Sequence, residues 1–162
     1  MRRRTSAAAF ALACLAAFAH IVSADAVDAL VTCGSALKLK HAATSFALNS
    51  QPIAYASGSG QQSVTAIAND GGETDTYWIV HGAHDETCER GRGFAHGAKI
   101  RLQHANTRAW LHSHAHRSPL SGNQEVSAYG NDDTSDTGDH WVVELTSGAG
   151  ASWVRGKKVR FR

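Results

Sequence analysis

The chain of 162 residues carries 16 Lys and Arg against 14 Asp and Glu, with 15 glycines and only 2 prolines. That length suits one domain with a single modest core. Three of the positive charges are Arg2, Arg3 and Arg4, so beyond residue 24 the balance is 13 against 14, a formal net charge of −1. A near-neutral domain of this kind exerts no global pull on nucleic acid or anionic membranes.

In chain order the first element reads as a secretory signal peptide over residues 1–24. Arg2–Arg4 form a basic start, residues 7–18 an apolar stretch, and Val22-Ser23-Ala24 or Ala24-Asp25-Ala26 a small-residue cleavage site. The competing reading, a membrane anchor, would need about 20 apolar residues, so no membrane span is expected once the signal is cleaved. Cys14 leaves with the signal. Cys33 and Cys88 remain, an even number in an oxidising compartment, and are expected to form a disulfide. Closing that 55-residue loop would stabilise the fold by about 4 kcal/mol in the chain-entropy picture. Two free buried thiols are the alternative, and no CxxC spacing or N-glycosylation acceptor is present.

Beyond the signal, short apolar alternations separated by Gly, Ser, Asn and Asp clusters predict an all-β domain with many turns. The chain also repeats itself. Leu37-Lys38-Leu39-Lys40-His41 aligns with Ile100-Arg101-Leu102-Gln103-His104 at an offset of 63, Leu48 with Leu111, and Trp78 with Trp141. Gly60–Thr65 falls on Gly122–Ser127 at 62, so one small indel separates the copies. Lys158-Val159-Arg160-Phe161 begins a third copy in which charged and apolar residues again alternate. Expected boundaries are repeat one at 31–94, repeat two at 95–153 and the start of repeat three at 154–162. No such unit buries its apolar face alone, so the copies must pack about a common axis. The five positive charges of 155–162 read as a solvated strand.

Several clusters bear on chemistry. No nucleophile elbow, phosphate loop, dinucleotide fingerprint or HExxH pattern occurs. Asp132, Asp133, Asp136 and Asp139 lack the ligand order of a calcium loop and read as a solvated loop. His112 and His114 point to one side of a strand and offer two nitrogens for zinc or copper, with His116 or His104 as a third ligand. Repeat one has Asn49 and Gln51 at the first two positions, so metal binding is the minor reading and a structural, hydrogen-bonding histidine the major one. His41 and His104 are equivalent, which argues for a shared role at a turn. Trp78 and Trp141 are expected in the core. Trp110 replaces Ala47 and is either a packed aromatic or an exposed anchor for a partner.

VTCGSALKL, YASGSGQQSVT, YWIV, TCERG, IRLQHANT, LHSH, SPLSGNQEVSAYG and WVRGKKVRF together resemble the stromal cell-derived factor 2 family, built of MIR repeats. The resemblance covers the chain from Val31 onward. It implies a β-trefoil in which three repeats close a barrel with hairpins across one end. It also implies a non-enzymatic protein of the endoplasmic reticulum lumen, a subunit of an assembly with a J-domain co-chaperone and the chaperone BiP that keeps unfolded clients soluble. No cofactor is implied, and interaction residues are not assigned.

The chain departs from that family in three ways. The third repeat stops at its first strand, so either a truncated gene model, the favoured expectation, or a shortened protein completed by a partner or second copy is implied. Such a chain would leave sheet edges unpaired. A second cysteine pair found in the family falls on His96 and Leu145, and the chain ends Arg160-Phe161-Arg162 rather than in a lumenal retention signal, so secretion is also open. A lectin-like module that binds glycans is the alternative function. An O-mannosyltransferase activity, by association with other MIR proteins, would require many membrane spans and a separate catalytic region.

Overall fold

The computed structural model describes residues 29–68 and 73–162, and the expected signal segment lies outside them. Nine strands run in chain order: β1 Ala36–Lys38, β2 Ala47–Ala54, β3 Gln62–Ile67, β4 Tyr77–Gly82, β5 Lys99–His104, β6 Trp110–Arg117, β7 Gln124–Tyr129, β8 Trp141–Leu145 and β9 Val159–Phe161. Short 3-10 turns, Thr74–Thr76 and Thr137–Asp139, precede β4 and β8. The all-β, trefoil-like architecture expected from the sequence is the one observed.

Antiparallel pairing separates two sets of strands. β1, β4, β5, β8 and β9 pair in succession as the wall of a barrel. The hairpins β2–β3 and β6–β7 stand at one end and join through β3 and β7, where Gln62 faces Ala128 and Ser63 faces Ser127. Alternation explains the wall: in β5, Ile100 and Leu102 are fully buried while Lys99 and Arg101 turn outward. Trp78, Val80, Leu111, Val143, Leu145, Phe94 and Trp153 complete the core with them.

The repeat is visible in the backbone. Both hairpins shift register at corresponding points, between Ser50 and Ala54 and between Ser113 and Arg117. The turn after the first strand of each copy places a non-glycine residue in the left-handed region, Ser45 at φ 61° and Arg108 at φ 63°. At the base of the barrel, three segments bond in a ring. Val31 N–H donates to Trp153, Trp153 N–H to Phe94, and Phe94 N–H to Val31. This ring marks the common axis that the repeating sequence required.

Among the described residues, β1 has only β4 as a strand neighbour and β9 only β8. A groove of about 590 Å³ lies between them, lined by Leu37, Leu39, Trp153 and Val159 among others. Cys33 and Cys88 are joined by a disulfide with Cα atoms 5.6 Å apart. His96 occupies the place of Cys33 one repeat on, and its Nδ1 accepts the Leu145 N–H at 3.0 Å. His96 and Leu145, the two positions at which the resemblance implied a further cysteine pair, are therefore adjacent here and linked by a hydrogen bond.

Candidate functional site

Strand β6 carries three alternating histidines, and their surroundings change along it. His112, at the base of the hairpin, is buried opposite Ser127, His114 is half-buried, and His116 is exposed toward the tip. The turn Thr137–Asp139 folds over His112 so closely that Gly138 leaves no room for a side chain. A Cβ there would meet His112 Nδ1 at 2.7 Å and the Ser113 carbonyl at 2.8 Å.

Asp136 caps this turn by accepting the Gly138 N–H at 2.7 Å, while Asp139 accepts the Asp136 N–H at 2.9 Å, a reciprocal capping box. The box fixes both carboxylates beside His112. His112 Nδ1 lies 2.9 Å from Asp139 Oδ1 and 3.5 Å from Asp136 Oδ1. Asp139 Oδ2 also accepts from the Ser135 hydroxyl at 2.7 Å. Asp139 is fully buried, which corrects the expectation that the whole acidic cluster is a solvated loop. Three donors to one carboxylate offset the cost of removing it from water. Asp132 does lie at the surface, where it accepts from Arg108 and Gln103. Those bonds, above all that from Arg108, hold its carboxyl below the ordinary range.

Ser135 extends the network outward. It bonds His84 Nε2 at 2.9 Å and accepts from Arg101 at 3.0 Å, and His84 Nδ1 lies 2.7 Å from His140 Nε2. One connected path thus runs from His112 through Asp139, Ser135 and His84 to His140. Burial, followed by the neighbouring His84 and Arg101, lowers the pKa of His140. The path joins two clefts, of about 760 Å³ beside His84 and His140 and about 540 Å³ beside His112, His114 and Tyr129, with Asp136 and Thr137 lining both.

His114 Nε2 is buried without a hydrogen bond and stands 3.5 Å from Glu125 Oε1. Glu125 itself ties the two hairpins together by accepting from the hydroxyl and backbone N–H of Ser59. Burial raises the pKa of that carboxyl, but the Ser59 bonds, His114 and the charge of His116 outweigh it and leave the value lowered.

The remaining residues singled out by sequence lie elsewhere. His104 is not near His112. Its Nε2–H donates to the Asp75 carbonyl at 3.0 Å, and its Nδ1 accepts from the Thr107 N–H and pairs with the Thr107 hydroxyl. His41 pairs with the Thr44 hydroxyl in the same way at 2.9 Å. Trp110 is a packed aromatic, nearly as buried as its counterpart Ala47, with the Arg101 guanidinium 4.5 Å from its ring. Trp78 is wholly buried, whereas Trp141 packs against the core but keeps some exposure. Sequence reasoning missed His84, Ser135 and His140, and missed Asp139 as the partner of His112. The repeat alignment held a usable signal, because Asn49 and Thr76 of repeat one become His112 and Asp139 in repeat two.

Comparison with known proteins adds identity to this geometry. Residues 54–160 match the MIR domain family. The chain is 48% identical over 132 residues to a stromal cell-derived factor 2-like protein of Arabidopsis thaliana, covering 82% of this chain and 60% of that protein. Human stromal cell-derived factor 2 is 45% identical over 133 residues, covering 82% of this chain and 61% of the relative. The chain thus spans about three fifths of the length of these relatives. The crystal structure of the Arabidopsis SDF2-like protein matches with a TM-score of 0.77, covering 82% of this chain and 72% of that one. A Saccharomyces cerevisiae protein O-mannosyltransferase Pmt1-Pmt2 complex bound to its sugar donor matches at 0.70 and 30% identity, covering 83% of this chain and 20% of that one. Taken with the doubled barrel-and-hairpin unit, these matches show that the chain belongs to the stromal cell-derived factor 2 family of MIR-domain proteins.

Proposed function

We propose that the protein is a non-enzymatic folding factor of the endoplasmic reticulum lumen, acting by binding within an assembly that contains a J-domain co-chaperone and BiP. The observation that carries this reading is the β6–β7 hairpin. Its connecting segment belongs to SPLSGNQEVSAYG, the stretch that most clearly carries the family resemblance, and presents Leu120 at 95% exposure. Ile53 on the neighbouring hairpin strand β2 is exposed at 59%. Apolar side chains held away from a closed core suit contact with another protein. The Cys33–Cys88 disulfide is compatible with the secretory pathway. No helix among the described residues is long and apolar enough to cross a membrane.

The test is affinity purification from gently solubilised microsomes, comparing the natural chain with Leu120→Ser. Recovery of a J-domain protein and BiP by the first and reduced recovery by the second is expected. Failure of the natural chain to retain either protein would overturn the reading.

A glycan-binding role is favoured by a different observation. The two polar clefts meeting at Asp136 offer His, Ser and carboxylate groups of the kind that bond sugar hydroxyls, in a fold shared with the O-mannosyltransferase complex. Retention on mannose or glucan resin with release by free sugar would establish it, and passage straight through both resins would reject it.

A further inference from the structure

We propose that His112, Asp136 and Asp139 form a binding site for one divalent transition-metal ion, with zinc as the cation their chemistry suits best. The three residues offer one ring nitrogen and two carboxylate oxygens, all within 4.8 Å of one another. His112 Nδ1 is 2.9 Å from one oxygen and 3.5 Å from the other. Ligands on a tetrahedral zinc at about 2.0 to 2.1 Å stand roughly 3.3 Å apart, so the observed separations bracket the required one. All three ligand atoms lie within 4.8 Å of one another, so the set needs a further approach of the side chains to close on one ion.

The surrounding bonds position the ligands. Asp139 gives Oδ2 to Ser135 and to the Asp136 N–H, which leaves Oδ1 directed at His112. Asp136 Oδ1 is steadied by the Gly138 N–H, and its carboxylate remains half-exposed at the mouth of the cleft. Supports of this kind orient metal ligands and raise their affinity. A metal ion at Nδ1 takes the ring lone pair there and leaves Nε2 to carry the ring proton, while the two carboxylate groups supply the oxygen ligands. Arg101, bonded to Ser135, offsets part of that charge without reaching the ligand atoms.

A second observation separates this cluster from ordinary scaffolding. Repeat one builds the same hairpin base and turn with Asn49, Glu73 and Thr76 at the corresponding positions. There Asn49 donates to the Thr65 hydroxyl and Thr76 to the Glu73 carbonyl, and the two do not bond each other. Asn49 and Thr76 are as buried as their counterparts. At the two buried positions the fold is therefore served by neutral residues in repeat one, where Glu73 keeps a carboxylate only at the exposed third position, and repeat two instead sets an imidazole against two carboxylates. The ion also differs from the pairing of His112 with His114 considered from strand alternation, because the partners come from the turn above the strand rather than from the strand itself.

Titration of zinc chloride into the purified, disulfide-bonded protein by calorimetry at neutral pH tests the site. One ion per chain is expected. Asp136→Asn keeps an oxygen for the Gly138 N–H but loses the charged ligand, so it should weaken binding by about tenfold or more with circular dichroism unchanged. His112→Gln should abolish the site, and His114→Ala should leave it intact. Absence of zinc binding overturns the proposal. So does binding that survives Asp136→Asn but is lost in His114→Ala, which would assign the ion to the exposed strand histidines.

Discussion

Trp141 donates its indole N–H to the Leu111 carbonyl at 2.8 Å, across 30 residues of chain. Trp78 makes the same bond to Leu48 at 3.2 Å, also across 30 residues. Each bond clips a barrel strand to the base of its own hairpin, so the tryptophans hold the two parts of the repeat together as well as filling the core. Their burial differs, and the energetic consequence should differ with it. Trp78→Phe removes a donor and leaves a void in a fully enclosed site, at a cost of about 2 to 3 kcal/mol. Trp141→Phe, with water able to reach the site, should cost about 1 kcal/mol. Urea unfolding of both variants checks this, and equal losses would contradict the assigned difference in burial.

The Cys33–Cys88 bridge closes a loop of 55 residues and anchors the entry of the first repeat to the segment after β4. Replacing both cysteines by serine should lower stability by about 2 to 5 kcal/mol. The paired replacement is the informative one, because a single change leaves a reactive thiol. Thermal unfolding under non-reducing conditions should show the loss, and addition of reductant should bring the natural protein toward the variant. A variant as stable as the natural protein would show that the barrel does not depend on the cross-link.

These features differed in how far the sequence revealed them. The offset of 63 was readable because Trp78 and Trp141, His41 and His104, and Leu48 and Leu111 carry the same side chains into the same structural roles. The alternation of charged and apolar residues in Lys99-Ile100-Arg101-Leu102 likewise agrees with the full burial of Ile100 and Leu102. The contact between His112 and Asp139 was not readable in that way. Period-two spacing says that His112 and His114 share a face, but it does not say that the Thr137–Asp139 turn folds across that face. Local charge density suggested solvation for residues 132–139. The fold instead withdraws Asp139 because His112, Ser135 and the Asp136 N–H are all aimed at it.

Mild acid should weaken the fold through its buried histidines. Burial lowers the pKa of His104 below its ordinary 6.5, although the bond to the Asp75 carbonyl and the Asp75 charge act the other way. The geometry agrees: Nδ1 accepts from the Thr107 N–H, so a second ring proton there would face a donor. Burial and then Arg101 lower His81, and burial with His84 lowers His140. For all three the unfolded chain holds more protons than the folded one below pH 6.5. Stability is therefore complete above that pH and declines as pH falls through 6.5 toward the depressed folded values. The lowered Glu125 and Asp132 act in a separate window below their ordinary 4.5 and 3.8. Urea midpoints at pH 7.5 and 5.5 should differ in that direction, and His104→Gln should narrow the difference. A higher midpoint at pH 5.5 would refute the assignment.

Gly138 offers the sharpest check on the turn that covers His112. Its backbone does not require the left-handed region, so alanine would be neutral if space were the only variable and space were available. The site is instead closed: a Cβ would press on the His112 ring and approach the Ser113 carbonyl to 2.8 Å. One neighbour is a side chain already fixed by Asp139, and the other is the backbone of β6, so neither yields cheaply. Gly138→Ala should cost about 1 to 3 kcal/mol through overpacking and should push the turn away from the strand. Gly97, where nothing lies within 4 Å of an added Cβ but φ is +87°, supplies the contrast. Gly97→Ala should also destabilise, through backbone strain alone, while leaving the His112 environment untouched. Histidine proton resonances of the two variants separate the mechanisms: the His112 signals should move in Gly138→Ala and stay in place in Gly97→Ala. Unmoved signals in Gly138→Ala would mean that the turn does not press on the ring.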